Sequence, residues 1–407
     1  MPSTDTLLAE SADLLGDAVA LRRRLHRRPE LGLHLPATQD AVTEALDAVG
    51  LDTVRLGERV SSVVGVLEGE RPGPTLVLRG DMDALPMPEA SGVGFSSEID
   101  GAMHACGHDL HTAMLVGAAR LLVPRRAELA GRVLFMFQPG EEGHHGARYM
   151  LEEGLLEPGP RPDGSVSPVT GAFALHVVSH LRSGTINLKG GTMMASADRL
   201  VIEVRGRGGH ASAAHLALDP IPVACEIVGA IQTLVTRRVD VFDPAVVTVA
   251  QIVAGTTNNV IPESARLVGT IRAVSERTRA LVHERLRGLA EGIAAAHEAT
   301  ATVTIEPGYP VTVNADDYAE FASGVAVELL GDEQVRRMPF PAMGAEDFSY
   351  VLQRVPGAMA FLGACPEGVD PHRAAPNHSN RVVYDEGCMT AGMAMYAAVA
   401  LRHLAPA

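Results

Sequence analysis

Three imidazoles and one thiol stand within eight residues, in His104-Ala105-Cys106-Gly107-His108-Asp109-Leu110-His111, just ahead of a stretch with apolar residues at helical spacing. Each of these side chains would need a partner or a charge state inside one small volume, which is hard to justify as packing. A soft thiolate with borderline imidazoles suits Zn, Mn, Co or Ni, whereas Ca and Mg prefer all-oxygen sites. Two other readings of the octapeptide stay open. One is a histidine-rich turn capping the helix; the other is a nucleophilic Cys106 with His104 or His108 as its base.

A second group is Gln138-Pro139-Gly140-Glu141-Glu142-Gly143, directly after the apolar run RVLFMF at 132–137. Adjacent side chains at a strand end diverge, so one carboxylate can bind a metal while its neighbour faces water. On a solvated loop the same pair would be ordinary surface. Asp81 and Asp83 end another apolar run in GDMDALP, and alternation puts both on one face. That placement suits a carboxylate that orients a ligand histidine, with a plain strand-end turn an equal reading of Asp81. His176 closes GAFALH and His378 lies in APNHSN; each alone is equally a satisfied structural histidine.

The elements that must position these residues follow from the hydrophobic pattern. VVGVLEG (63–69), PTLVLRG (74–80), RVLFMF (132–137) and GAFALHV (171–177) read as strands, and HTAMLVGAARLLV (111–123) as a helix between two of them. This alternation predicts an α/β domain built on an open, mainly parallel sheet with helices on both faces. In such sheets ligands sit beyond the carboxyl ends of the strands, where Asp81, Asp83, Glu141, Glu142 and His176 all fall. Between about 196 and 306 the order becomes β-α-β-β-α-β, a ferredoxin-like α+β unit inserted into the larger domain. The expected boundaries are 1–190 for the first part of the larger domain, 191–307 for the insertion and 308–407 for the second part.

A chain of 407 residues exceeds one ordinary core, and its 46% hydrophobic and 20% charged content is that of a folded globular protein. The net charge of −15 argues against nucleic acid as a partner. The basic run Arg22, Arg23, Arg24, Arg27 and Arg28 reads as the solvated face of a first helix. Neither a leader-like N-terminus nor a long uncharged apolar run is present, so a soluble, cytoplasmic protein without membrane partners is expected. Four cysteines do not make a disulfide framework in a chain this long, and Cys225, Cys365 and Cys388 read as core thiols.

Taken in order, GDMDALP, HACGHDLH, QPGEEG, ALHV, GRGGHAS with a following DPI, NNVIP, GTIR, GAEDFSY with a following VPG, and NHS resemble the M20 metallopeptidases. Within them the chain is similar to the N-acyl-amino-acid amidohydrolases, the group of hippurate hydrolases and plant auxin-conjugate hydrolases. The resemblance implies two divalent metal ions (Mn, Zn, Ni or Co) held by Cys106, His108, Glu142, His176 and His378. It implies Glu141 as general base and Asp83 as the carboxylate that steadies the centre. His210, Asn259 and Arg272 are implied, as lid residues, to bind the scissile carbonyl oxygen and the substrate carboxylate, with His210 at the oxyanion and Arg272 suited to the carboxylate, and Gly344 to line the substrate pocket. It further implies a homodimer formed through the inserted lid domain, and hydrolysis of a small N-acyl-amino acid or peptide-like substrate. The chain departs from the group's pattern at His34, at His144 and His145 after the two glutamates, in HASAAH, and in NHSNR. Substrate choice is what these departures bear on.

Overall fold

The computed structural model describes residues 4–54, 56, 57 and 59–406. By its contacts the chain divides into two compact units, Met1–Met193 with Val313–Pro339 and Tyr350–Ala407, and Met194–Thr312 with Phe340–Ser349.

The first unit is built on an eight-stranded sheet in the order Asp52–Val54, Val63–Glu68, Ala130–Gln138, Arg71–Asp81, Val169–Arg182, Gly357–Cys365, Ile186–Leu188, Val335–Arg337. Its four central strands run parallel. Strand Gly357–Cys365 is buried throughout, and Ala130–Gln138 is buried from Gly131 onward. Their unbroken apolar runs are what a sheet covered on both sides requires. Helices Thr4–Arg27, His108–Leu122 and Cys388–His403 pack on one another, and His108–Leu122 lies along the strand Arg71–Asp81. The central strands are in register (Leu78 pairs with Phe135 and Phe173), so Asp81 and Gln138 pair at one edge with His176 at the same level; the strand expected to close at His176 runs on to Arg182, still paired with Gly357–Cys365. Among the described residues no helix is long and apolar enough to cross a membrane.

The second unit is the β-α-β-β-α-β arrangement, with strands Ala245–Ala254, Ser264–Ala273, Asp198–Arg205 and Thr300–Pro307 side by side in that order, all antiparallel. Helix Pro220–Arg238 starts where its sequence demands: Asp219 caps it by accepting from Ile221 N, and Pro220 takes the first position. Phe340–Ser349, expected in the 308–407 stretch of the larger domain, groups with this unit. Ala195 N donates to Ala342 O at 3.0 Å and Thr312 Oγ1 to Glu346 O at 3.4 Å. Cys225, read as core, is exposed, because the buried face of its helix is Val223, Ala224, Ile227 and Ile231.

Arg22 corrects the reading of the basic run as a solvated face. It is 2% exposed and ion-paired to Asp109 at 2.7 Å and to Glu386 at 3.0 Å. Helical spacing alone places it among outward-looking arginines; two acids far away in sequence pull it inward. Its neighbour His26 donates between Asp109 (2.8 Å) and Glu89 (3.2 Å). Burial alone would lower the His26 pKa, but Asp109 and Glu89 raise it to about 9. A group raised above its unfolded value of about 6.5 stabilises fully below that value and loses the effect as pH climbs through the folded one. Urea-unfolding stability is therefore expected to fall between about pH 6.5 and about pH 9 by on the order of 3 kcal/mol, a slope that His26→Gln flattens. A wild-type profile with no more slope than that of the variant would contradict this account.

Candidate metal centre

His108 opens the helix His108–Leu122, and Gly107 before it has φ 84°. A Cβ at Gly107 would also come within 2.3 Å of Val177 Cγ2 and 3.2 Å of the Tyr384 ring. Only glycine allows both the left-handed turn and the close approach, and this turn presents Cys106 and His108 to the same space. Glu141 and Glu142 follow the strand Ala130–Gln138 through Gly140, whose φ is 68°. His378 itself sits at φ 67°, a left-handed conformation uncommon for a non-glycine residue, with its N–H donating to Ala105 O at 2.8 Å.

These segments bring five of the expected residues together. Cys106 Sγ lies 3.4 Å from His176 Nε2 and 3.3 Å from His378 Nε2, and His378 Nε2 lies 3.1 Å from Glu142 Oε1. Potential ligand atoms of Cys106, His108 and His176 lie within 4.8 Å of one another, as do those of Cys106, Glu142 and His378, and of His108, Glu141 and Glu142. His108 Nε2 is buried with no hydrogen-bond partner among the described residues, while its Nδ1 donates to Asp83 O at 2.7 Å. His176 likewise commits Nδ1 to Val177 O at 2.8 Å, which leaves Nε2 facing the thiol. A fixed Nδ1–H with a free Nε2 lone pair is the form in which histidine binds metal.

The electrostatics match. Burial, with His111 nearby, holds His176 well below the usual imidazole range and so neutral. Hydrogen bonds to Cys106 and Glu142 raise His378 to about 10. Burial opposes the same effect at His108, where Asp81 and Cys106 nonetheless raise it. A cluster that draws protons onto its imidazoles is one whose field favours a cation. Soft and borderline donors, a buried imidazole nitrogen that makes no hydrogen bond and a cation-seeking field together fit a transition-type divalent ion.

Asp83 acts differently from a simple partner of a ligand histidine. Its carboxylate accepts from Glu141 N and Glu142 N, both at 2.9 Å, and its backbone carbonyl holds His108. One aspartate thus sets the turn of both glutamates and one imidazole. Asp83→Asn would set an NH₂ against one of those two amides, and about a 10- to 100-fold loss of metal affinity or activity is expected. Metal titration of the purified variant checks it, and wild-type affinity together with wild-type activity would refute it.

Asp81, His108 and His111 also lie close enough to suggest an ion, but His111 is fully committed. Its Nδ1 donates to Asp81 Oδ1 at 2.5 Å and its Nε2 accepts from Val177 N at 2.7 Å. Arg79, buried and 2.8 Å from Asp81, already supplies that carboxylate with a positive partner. His104 is buried, faces His26 at 6.2 Å between rings, and belongs to none of these groups. Cys106 is buried too, and its thiol is pushed up by burial and by Glu142. An activated nucleophile needs the opposite shift, so the cysteine-nucleophile reading loses its support.

The four residues expected to meet the substrate lie in the second unit. His210 is exposed and its Nδ1 accepts from Ser212 N at 3.1 Å, which puts its proton on Nε2. Asn259 O accepts from Ala211 N at 3.0 Å, beside the pairing of Val260 with His210. Arg272 is half-buried on the strand Ser264–Ala273, with no hydrogen-bond or ion-pair partner among the described residues, and burial lowers its pKa. Among the described residues, Gly344 has Met194 Cε alone near the position of a Cβ, at 3.1 Å. His34 and His144 are exposed, with the His144 ring lying over Gly32, and His145 Nδ1 meets Tyr350 Oη at 2.9 Å. Asn377, which sequence reasoning passed over, stands on one of the segments that carry the cluster and bonds to two others. Its only signal in the sequence is its place beside His378.

Residues 77–402 match the description "Peptidase family M20/M25/M40". Among curated relatives, thermostable carboxypeptidase 2 of Saccharolobus solfataricus is 36% identical over 94% of each chain. N-acetylcysteine deacetylase of Bacillus subtilis is 37% identical over 85% of this chain and 87% of its own. Among solved structures, the Bacillus subtilis YXEP protein, described as a dinuclear metal binding peptidase from the M20 family, superposes with a TM-score of 0.82. It is 32% identical, with 97% of this chain and 99% of that one covered. The chain belongs to peptidase family M20/M25/M40, among the metal-dependent hydrolases of its amidohydrolase branch.

Proposed function

We propose that the protein hydrolyses the amide bond of small N-acyl-amino acids, releasing a carboxylic acid and an amino acid. The observation that carries this reading is the convergence of Cys106, His108, Glu142, His176 and His378 beside Glu141. Two ligand triads share Cys106, which supports a pair of divalent ions, Mn, Zn, Ni or Co, as the cofactor. Bound there, such ions lower the pKa of water and polarise the amide carbonyl.

Everything else is the work of side chains. Glu141 takes a proton from the attacking water and returns it to the leaving amine. Asp83 holds Glu141 and Glu142 in register for that exchange. His210, whose proton is on Nε2, donates to the developing oxyanion, with Asn259 beside it. Arg272 offers an unpaired planar fork to the substrate's free carboxylate, and Gly344 leaves room for the substrate. A homodimer and a cytoplasmic setting complete the proposal.

Of the two curated relatives named above, one is by its name a deacetylase of N-acetylcysteine and the other a carboxypeptidase, and both names support an amide substrate that carries a free carboxyl group. The decisive assay compares N-acetyl- and N-benzoyl-amino acids with their carboxyl-methylated forms and with free dipeptides. The free-carboxylate acyl compounds are expected to be the best substrates. Arg272→Ala is expected to weaken kcat/KM on them by about 30-fold, about 2 kcal/mol of a charge-assisted pair, and to leave the methylated forms nearly unchanged. Equal turnover of acid and methylated forms by the wild type would sink the carboxylate assignment.

A further inference from the structure

Cys106, His176 and His378 reach the cluster from three segments remote in sequence, and the strand of His176 and the loop of His378 meet at the backbone of one residue, Val177. Its carbonyl accepts from His176 Nδ1 at 2.8 Å and from Asn377 Nδ2 at 2.9 Å. Its N–H donates to His111 Nε2 at 2.7 Å, and His111 is backed by Asp81 at 2.5 Å. Asp81 in turn is held by the buried Arg79 at 2.8 Å, whose Nε donates to Gln138 Oε1 at 2.9 Å. The Val177 backbone is thus anchored at its N–H by a buried charged chain.

On its carbonyl side the anchor is Asn377. Nδ2 also donates to Cys106 O at 3.3 Å, and Oδ1 accepts from Ser179 N at 3.1 Å. This network fixes the amide orientation. A flipped Asn377 would set Oδ1 against two carbonyl oxygens and an NH₂ against an N–H. One side chain therefore spans the cysteine turn, the strand carrying His176 and the loop carrying His378. The left-handed backbone of His378 begins one residue after it.

We infer that Asn377 is a positioning residue for the metal centre. By bridging Val177 O, Cys106 O and Ser179 N it sets the spacing of Cys106, His176 and His378 before any ion binds. This rests on the metal-centre reading above. A merely structural asparagine would contribute to the stability of the metal-free fold and nothing more. A positioning asparagine changes the affinity for metal, because ligands left free to spread must be gathered again on binding.

The test is calorimetric titration of the chelated, full-length protein with Mn(II) and with Zn(II), for the wild type, Asn377→Ala and a control, Ser11→Ala. Ser11 Oγ donates to Thr390 O at 2.7 Å in the same unit, so its loss removes a buried hydrogen bond remote from the ligands. Asn377→Ala is expected to bind about 10- to 100-fold more weakly, and Ser11→Ala to lower Tm with wild-type affinity. Wild-type affinity in Asn377→Ala would overturn the inference while leaving the metal centre standing. A wild type that takes up neither ion would overturn the metal centre and this inference together. If Asn377→Ala does not fold, Asn377→Asp decides. It keeps the acceptor for Ser179 N but turns a carboxylate oxygen on the Val177 and Cys106 carbonyls, and affinity equal to or tighter than wild type would overturn the inference.

Discussion

Replacing Glu141 by glutamine is expected to lower kcat on an N-acyl-amino acid by about 10³-fold while metal content stays at the wild-type level. Glu141 is 6% exposed, and its backbone N–H is held by Asp83 at 2.9 Å. Glutamine keeps the volume and that backbone bond, so the turn stays in place. What it cannot do is accept a proton from water and pass it to the leaving amine. Glu142, the neighbouring carboxylate, lies 3.1 Å from His378 Nε2 and on the proposed reading is the one that holds an ion. Loss of rate with retention of metal separates the two roles. KM should move little, because Glu141 acts on the reacting water and contributes little to ground-state binding. Steady-state kinetics with metal analysis of the same sample check it. A variant with wild-type kcat would show that another group is the base.

Much of this centre was legible from strand ends. RVLFMF must be a doubly covered strand, so the residues after Gln138 had to lie at the edge of a sheet. GAFALH is its counterpart two strands away, and register then places His176 near Asp81 and Gln138. Element type follows from hydrophobic period and ends from glycine and proline, both local properties. The ferredoxin-like insertion was legible for the same reason.

What the chain does not display locally is the partner of each polar group. Arg22 carries the helical spacing of its exposed neighbours, and only the fold reveals that Asp109 and Glu386 take it inside. Asp83 was recognisable as a carboxylate beside the centre. That its carboxyl serves the glutamate amides while its carbonyl serves His108 is a matter of backbone path. His111 looked like a third imidazole for a metal. Its exclusion depends on Val177 N–H and Asp81, neither adjacent in sequence. Asn377 is the extreme case, since its contacts are mainly backbone atoms, which leave no trace in residue type.

Chelation is expected to abolish turnover altogether, with Mn, Zn, Co or Ni(II) each restoring it to a different level. Five side chains from four separate segments converge in the cluster. His108 Nε2 makes no hydrogen bond among the described residues and has the carboxylates of Asp81 at 3.4 Å and Glu142 at 4.0 Å near it, so an ion would find its lone pair available. Because ions bind the folded state only, chelation should also lower Tm; at about 100-fold excess over Kd the difference is about 2.7 kcal/mol. Restoration should weaken in acid, since the thiol and imidazoles must give up protons to bind. The same experiment judges the cysteine-hydrolase alternative. A buried thiol pushed up in pKa, with His176 and His378 around it, would still be present after chelation, so a nucleophilic Cys106 predicts activity that survives. Full activity in protein shown by elemental analysis to be metal-free would reinstate that alternative, whereas loss and metal-specific return leave Cys106 its place as a ligand.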